Sequence, residues 1–488
     1  MTKAHQPLFI RKPFPSTVHK IHLIGIAGSG MGAFACMLKQ AGYEVRGSDQ
    51  NIYPPMSDTL AQEHIPVMLG WNADHLAWQP DLVIVGNVCR RDNAEAVAAE
   101  KLAIPFVSFP QALCDLFLHD RSPIVVAGTH GKTTTTSILS WLLYSHDPQR
   151  TGMLVGGIGG NFNTPFLIGA SGGAFVIEGD EYDTAFFDKG PKFLHYRPQV
   201  ALLNNVEFDH ADIYDDLEEI KENFDRLCVL MNEGKTLWVN QDDELALQCA
   251  QHATGTVITY GLHATAMWWA SDIHVHTKGS SFTLNYEGHH YHVDSPLAGR
   301  HNIYNTVVAL GIAHHNYGMP ITAAITALQA FKGVQKRQEE IGEVDGVLVI
   351  DDYAHHPTAI YETILALKAR YPQRRLWAIY EPKSNTARRN IHQVEYAKAF
   401  SVADVVRLAR PFKKKNDFAD DEKLNLEQLT QELSEQGINS QSCADIDELL
   451  QQLTQQVQAG DLLVFMSSSS FERAQYRILD LLQNRSNK

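Results

Sequence analysis

The stretch PIVVAGTHGKTTTT, residues 123–136, decides how the rest of the chain is read. PIVVAG is a buried-type strand, GTHGK is a glycine-bounded turn, and the text from Lys132 to Leu143 reads as a helix. A glycine turn between a strand and a helix brings backbone amides to a helix N-terminus, where an anion is favoured. In such a loop Gly128, Thr129, His130, Gly131, Lys132, Thr133 and Thr134 surround phosphate oxygens. Lys132 neutralises the β and γ phosphates, and the Thr133 hydroxyl binds Mg²⁺. The generic GxxxxGK[ST] pattern places glycine at 126, where this chain has Val126, so the loop is of a shortened variety. A magnesium–triphosphate needs hard oxygen partners or an occasional imidazole. Two strand ends downstream supply them: Glu178, Asp180 and Glu181 in EGDEYD, and Glu207, Asp209 and His210 in EFDH.

Upstream, KIHLIGIAGSGMGAFACMLKQAGYEVRGSD (20–49) reads as strand, glycine turn, helix and second strand. Gly25, Gly28, Gly30 and Gly32 suit a diphosphate at a helix N-terminus, and Asp49 ends the strand where an acid meets a ribose or base edge. These residues alone leave NAD and a UDP sugar both open. Strands at 81–87 and 104–109 with a helix at 94–101 continue a parallel α/β pattern, and the pattern restarts at 123. Between 256 and 297, period-two segments punctuated by glycine predict an antiparallel meander, followed by helices at 302–316 and 321–331. A third alternating unit starts near Gln335 with GVLVIDD as its first strand. The expected divisions are a loose leader at 1–18, then domains at 19–120, 121–334 and 335–488.

The length fits this division, because 488 residues correspond to about three domains. A net charge of −15, from 41 basic and 56 acidic residues, argues against a nucleic-acid-coating or membrane-surface partner. The basic run at 413–415 sits beside acids and reads as a solvated loop. No apolar run approaches a membrane span. Six dispersed cysteines without CxxC spacing predict neither disulfides nor a zinc ribbon, and point to the cytoplasm.

The elements GTHGKTTTT, EGDEYDTAF, NNVEFDH, GRHNIYN (299–305) and DDYAHHPT (351–358), in this order, resemble the Mur ligase family, ATP-dependent amide-forming enzymes of bacterial cell-wall precursor synthesis. The resemblance implies an α/β, three-domain architecture: a Rossmann-like N-terminal domain, a central P-loop ATPase-like domain and a Rossmann-like C-terminal domain. GIAGSGMG and GSD are similar to the branches that bind UDP-N-acetylmuramate, which implies a uridine diphosphate site at Gly28, Ser29, Gly30, Met31, Ser48 and Asp49. YDTAFFDKGPKFLHYRP (182–198), GGIGGNF, GNVCRRDN and EPKSNT resemble the branch adding the tripeptide L-alanyl-γ-D-glutamyl-meso-diaminopimelate in peptidoglycan recycling. The L-alanine-adding branch lacks the DKGPKF insert.

Carried across by position, the family implies that Lys132 binds phosphate, that Thr133 and Glu178 hold one Mg²⁺, and that His210 helps hold a second. His301, Asn302 and Asn305 match the adenine stretch, and Arg337 and Asp351 match positions near ribose and phosphates. Lys383 stands where an arginine is expected; with Asn385 and Arg388 it marks the peptide side, and Arg388 or Arg389 compensates for the lost bidentate group. Ser467–Ser470 replace an expected glycine turn.

Amide formation from a carboxylate requires activation as an acyl phosphate, which ATP supplies with Mg²⁺. The incoming amine must be deprotonated, and His355 or His356 of DDYAHHP is the candidate base. Because water would hydrolyse an acyl phosphate, the domains are expected to close on their ligands. A nicotinamide-dependent oxidoreductase is the alternative of another class, and the second phosphate loop argues against it.

Overall fold

The computed structural model describes residues 11–53, 56–211, 213–410 and 418–486; the first ten leader residues and the basic run at 413–415 lie outside them. The chain divides into two compact units. The first comprises Met1–Phe208, Asp216–Trp269 and Val307–Ala327, and the second Asp209–Asp215, Ala270–Thr306 and Leu328–Lys488.

The first unit opens with β1 (Lys20–Ile24), α1 (Ser29–Gln40), β2 (Glu44–Asp49), α2 (Met56–Gln62), β3 (Val67–Leu69), β4 (Leu82–Val85), α3 (Ala94–Lys101), β5 (Phe106–Ser108) and α4 (Phe109–Leu116). The five strands are parallel in the order β3-β2-β1-β4-β5. The order reverses between β1 and β4, which places the Gly25–Gly28 turn at the switch point where open α/β sheets bind ligands. Arg11 and Lys12 of the leader dock here: Arg11 pairs with Asp115, and the Lys12 amide donates to Gln111 Oε1 at 3.0 Å.

The same unit continues with β6 (Ser122–Ala127), α5 (Lys132–His146), β7 (Thr151–Leu154), β8 (Phe166–Leu167), β9 (Ala174–Gly179), the hairpin β10 (Asp183–Ala185) and β11 (Asp188–Pro191), β12 (Val200–Leu203), α6 (Leu217–Leu230), β13 (Thr236–Asn240), α7 (Glu244–Ala250) and β14 (Thr256–Gly261). The order is β14-β13-β12-β6-β9-β7-β8, parallel except at β7–β8. β6 is central and buried from Pro123 to Ala127, which explains its unbroken apolar text. The expected meander needs correction at its first step. Tyr260 and Gly261 pair in parallel with Trp268 and Trp269 at the head of β15 (Trp268–His276).

In the second unit β16 (Gly279–Tyr286) and β17 (His289–Ser295) form the expected antiparallel pair. The helices expected next are α8 (Arg300–His315), which belongs to the second unit up to Thr306 and to the first from Val307, and α9 (Ile321–Gln329), which belongs to the first unit up to Ala327. There follow β18 (Glu339–Val344), β19 (Val347–Asp352), α10 (Pro357–Arg370), β20 (Arg375–Tyr380), α11 (Gln393–Phe400), β21 (Val405–Ala409), α12 (Leu426–Glu435), β22 (Asn439–Cys443), α13 (Ile446–Gln456), β23 (Asp461–Met466) and α14 (Ala474–Ser486). The sheet runs β18-β19-β23-β20-β21-β22, with β18 antiparallel. Alternate residues of RLWAIY feed two cores: Leu376, Ala378 and Tyr380 pack with α10, α11 and α12, while Trp377 and Ile379 pack with α13 and α14. Both edge strands escaped the sequence reading. EEIGEV and NSQSC are polar because an edge strand is only half covered.

Glu95 fastens the N-terminal sheet from inside. Its fully buried carboxylate meets His22 Nε2 at 2.8 Å, Ser48 Oγ at 2.6 Å, His75 Nδ1 at 2.8 Å and the Asn72 amide at 3.2 Å. Burial pushes its pKa up, and hydrogen bonds from His22 and Ser48 outweigh that and hold it below the ordinary value. A depressed carboxylate stabilises the fold above the unfolded pKa of about 4.3, and that contribution is lost as pH falls through the folded value. Glu95→Ala strands four polar partners and is expected to cost about 3 kcal/mol or more at pH 7, read by calorimetric unfolding.

Candidate functional site

β6 ends at Ala127 and α5 begins at Lys132, so the phosphate loop is four residues long. Gly128 has φ +127° and an added Cβ would lie 2.9 Å from the Asn205 amide nitrogen; Gly131, in the left-handed region at φ +86°, is the N-cap of α5. No side chain caps that helix end, which leaves its amides directed at the loop's mouth. The strand end after β12 braces the loop: the His130 amide donates to Asn205 Oδ1 at 2.7 Å, Asn204 Nδ2 donates to the His130 carbonyl at 2.9 Å, and the Glu207 amide donates to Thr129 Oγ1 at 2.9 Å.

Lys132 Nζ donates to the Gly128 carbonyl at 2.7 Å and pairs with Glu181 Oε2 at 2.9 Å. Thr133 Oγ1 donates to Glu178 Oε2 at 3.0 Å, and the Gly156 amide donates to Glu178 Oε1 at 2.7 Å. Asp180 Oδ2 accepts from Lys192 Nζ and from Tyr182 Oη, both at 2.9 Å. Three carboxylates thus share this pocket with two ammonium groups, leaving one surplus negative charge. The surplus shows at Glu178, whose pKa is raised by burial and by neighbouring Asp180. A hydroxyl and an under-compensated carboxylate side by side are the donor set a hard divalent cation requires, so Thr133 and Glu178 fit Mg²⁺. Lys192 was not singled out in the sequence, although the DKGPKF stretch that contains it was.

At the N-terminal turn Gly28, Ser29 and Gly30 are exposed around the start of α1, while Met31 is buried. Gly30 meets nothing within 4 Å of an added Cβ, whereas one on Gly32 would strike Met56, so Gly32 serves packing. The Ser48 side chain is buried and faces inward, its Oγ donating to Glu95 Oε2. Asp49 Oδ2 accepts the Ala27 amide at 2.9 Å and so shapes the turn.

The remaining predicted residues belong to the second unit. His210 has φ +56°, and its segment is held by Thr386, whose Oγ1 accepts the Ala211 amide at 3.0 Å, and by Arg389, which donates to the Ala211 carbonyl at 3.1 Å. Asp209 Oδ2 lies 3.9 Å from His355 Nε2, and His355 Nδ1 lies 3.0 Å from the Tyr353 carbonyl. Burial pushes the Asp209 pKa up, but the charges of His210, His355 and His356 hold it well below the usual range. His356 caps α10, taking the Thr358 amide on Nδ1 at 3.4 Å. The geometry separates the two histidines: His356 caps the helix, and His355, held on Nδ1 by the Tyr353 carbonyl, turns Nε2 toward Asp209.

His301 Nε2 lies 3.3 Å from Gln338 Nε2, Asn302 Nδ2 donates to the Ala298 carbonyl at 2.9 Å, and Asn305 Nδ2 donates to Asn302 Oδ1 at 3.3 Å. Arg337 stacks 4.5 Å from the Tyr353 ring centroid. Lys383 lies 3.4 Å from Glu381 Oε1, Asn385 follows two residues later, and Arg388 is buried near the Phe418 ring. The serines in place of a glycine turn tie that loop to Glu381: Ser467 Oγ and Ser469 Oγ donate to its Oε2 at 2.9 and 2.7 Å.

Family models cover most of the chain: the Mur ligase family catalytic domain matches residues 20–121, the Mur ligase middle domain 126–313, and the Mur ligase glutamate ligase domain 336–469. The chain belongs to the Mur ligase family. It is therefore an ATP-dependent ligase of three-domain α/β architecture. It is 37% identical over 465 residues to UDP-N-acetylmuramate–L-alanyl-γ-D-glutamyl-meso-2,6-diaminoheptandioate ligase of Escherichia coli K12, covering 94% of this chain and 98% of the relative. The murein peptide ligase of Psychrobacter arcticus 273-4 superimposes with TM-score 0.71 at 34% identity, covering 96% of this chain and 99% of that one. UDP-N-acetylmuramate–L-alanine ligase of Desulfitobacterium hafniense is 31% identical, covering 92% of this chain and 96% of the relative. Among the described residues no helix of this ligase is long and apolar enough to cross a membrane.

Asp351, only 3% exposed, has its pKa raised to about 6 by burial, with Lys336 and Gln475 pulling the other way. The folded state then holds a proton that the unfolded chain has released, so stability falls as pH rises between about 4 and 6. Asp351→Asn is expected to gain on the order of 2 kcal/mol over the unaltered protein at pH 8 and nothing at pH 4, measured by urea unfolding.

Proposed function

We propose that this ligase joins L-alanyl-γ-D-glutamyl-meso-diaminopimelate to UDP-N-acetylmuramate in the cytoplasm, with ATP and Mg²⁺, as a step of peptidoglycan recycling. The observation that carries the phosphoryl chemistry is the uncapped N-terminus of α5 with Lys132 and the acidic pocket beside it. Support for the tripeptide comes from the likeness to the tripeptide ligase of Escherichia coli and from the DKGPKF insert, which forms β11 and the start of the turn after it. We assign 19–120 to the UDP sugar, 121–334 to ATP and 335–488 to the peptide, with 1–18 as leader.

The loop amides and Lys132 bind the β and γ phosphates, and His301, Asn302, Asn305, Arg337 and Asp351 are assigned to the nucleoside end. Gly28, Ser29 and Gly30 take the UDP diphosphate on backbone amides. Thr133 and Glu178 would hold one Mg²⁺ and His210 a second; bound Mg²⁺ supplies charge neutralisation on the transferred phosphoryl oxygens. The lactyl carboxylate oxygen attacks the γ phosphorus, ADP leaves, and an acyl phosphate forms. His355 Nε2 accepts the proton of the tripeptide's L-alanine ammonium, with Asp209 stabilising the imidazolium. The amine then attacks the acyl carbon, the C–O bond to phosphate breaks, the departing phosphate takes up the second proton of the nitrogen, and the amide remains. Lys383, Asn385 and Arg388 are assigned to the peptide's carboxylates.

With UDP-N-acetylmuramate, ATP and Mg²⁺, phosphate release is expected with tripeptide and at least tenfold less with L-alanine; a preference for alanine would move the chain to the other branch. Lys132→Ala is expected to lower turnover by about 10³-fold or more while UDP-sugar affinity, read by calorimetry, stays unchanged. His355→Asn should cut amide formation about 10²-fold with ATP affinity retained, and the loss should shrink as pH rises toward the amine's own pKa.

A further inference from the structure

The phosphate pocket contains one cation that the reaction itself does not call on. Lys192 follows the β10–β11 hairpin, in the insert that sets this branch apart, and it is tied to Asp180 twice. Its amide donates to the Asp180 carbonyl at 3.1 Å, and its ammonium meets Asp180 Oδ2 at 2.9 Å with the side chain only 14% exposed. The hairpin holding it is pinned independently: Asp188 Oδ2 accepts from Ser108 Oγ at 2.8 Å and lies 2.9 Å from His195 Nε2, all three buried. Lys192 Nζ also lies 4.1 Å from the Tyr182 ring centroid, and Tyr182 shares Asp180 Oδ2. Asp180 Oδ2 is therefore engaged by Lys192 and Tyr182, and Glu178 is the carboxylate beside the Thr133 hydroxyl.

We propose that Lys192 is a positioning residue for the phosphate pocket: by engaging Asp180 it leaves Glu178 as the cation-facing carboxylate and sets the pocket's net charge. This rests on the reading of Thr133 and Glu178 as cation ligands. With Lys132 and Lys192 against Glu178, Asp180 and Glu181 the pocket carries one excess negative charge. Removing Lys192 makes it two, which attracts a divalent cation more strongly and repels a nucleotide triphosphate. Loss of packing alone would weaken both.

The test uses the full chain and Mn²⁺ as a paramagnetic probe, titrated by electron paramagnetic resonance without nucleotide, alongside ATP affinity by calorimetry. Lys192→Met is expected to bind Mn²⁺ about tenfold more tightly and ATP severalfold more weakly. Asp180→Asn, with Lys192 intact, is expected to shift Mn²⁺ the other way, and the double variant to return it near the starting value. Should Lys192→Met misfold on thermal unfolding, the sign of the Asp180→Asn shift decides alone. Mn²⁺ affinity unchanged or weaker in Lys192→Met, or unchanged or tighter in Asp180→Asn, overturns the proposal while leaving the functional reading intact. An unaltered protein that binds no Mn²⁺ overturns the cation assignment and this proposal together.

Discussion

The structure of the phosphate pocket turns on one electrostatic constraint: three carboxylates and two ammonium groups gathered, largely buried, at the carboxyl end of β9. Charges taken out of water are costly unless each finds a partner, so this grouping persists only because the surrounding elements fix it. The sheet aims the carboxylates by placing β9 beside β6, the loop brings Lys132 over Glu181, and the insert delivers Lys192 to Asp180. What remains is a small negative surplus next to an uncapped helix end. That pairing, a cation-seeking carboxylate beside anion-seeking amides, suits a metal-bound polyphosphate and little else.

The second unit meets a different constraint with similar means. The backbone of residues 209–211 is braced by Thr386 and Arg389, and the acid it carries faces His355. Tyr380 and Tyr396 both donate to the His355 carbonyl, at 3.0 and 2.8 Å, which fixes the backbone behind the imidazole. A base needs such fixing, because proton transfer falls off steeply when the acceptor wanders. Glu381 plays the corresponding part for the Ser467–Ser470 loop, where hydroxyls on a buried carboxylate do what a glycine turn would do by shape.

The parts legible in the sequence are those in which chemistry and local geometry coincide. A strand, a glycine turn and a helix are contiguous in the chain, so the phosphate loop and the N-terminal turn could be read directly, as could the acids at the following strand ends. Elements whose identity depends on distant partners were not legible. The edge strands β18 and β22 are polar, and the β10–β11 pair is too short to show a period. The inward turn of Ser48 is decided by Glu95, some 47 positions later. Lys192 belongs to this second kind: the DKGPKF insert marks the stretch that carries it, but its meaning appears only when Asp180 is seen beside it. His355 and His356 are adjacent and chemically identical, and only the cap of α10 tells them apart.

Transfer of the γ phosphoryl group to the lactyl carboxylate before the amide forms is the central step of the proposed reaction. UDP-N-acetylmuramate labelled with ¹⁸O in that carboxylate, turned over with ATP and the tripeptide, tests this directly by mass spectrometry of the released phosphate. One labelled oxygen per phosphate, appearing in step with amide product, is the predicted result. Phosphate free of label, with amide still formed, would contradict it.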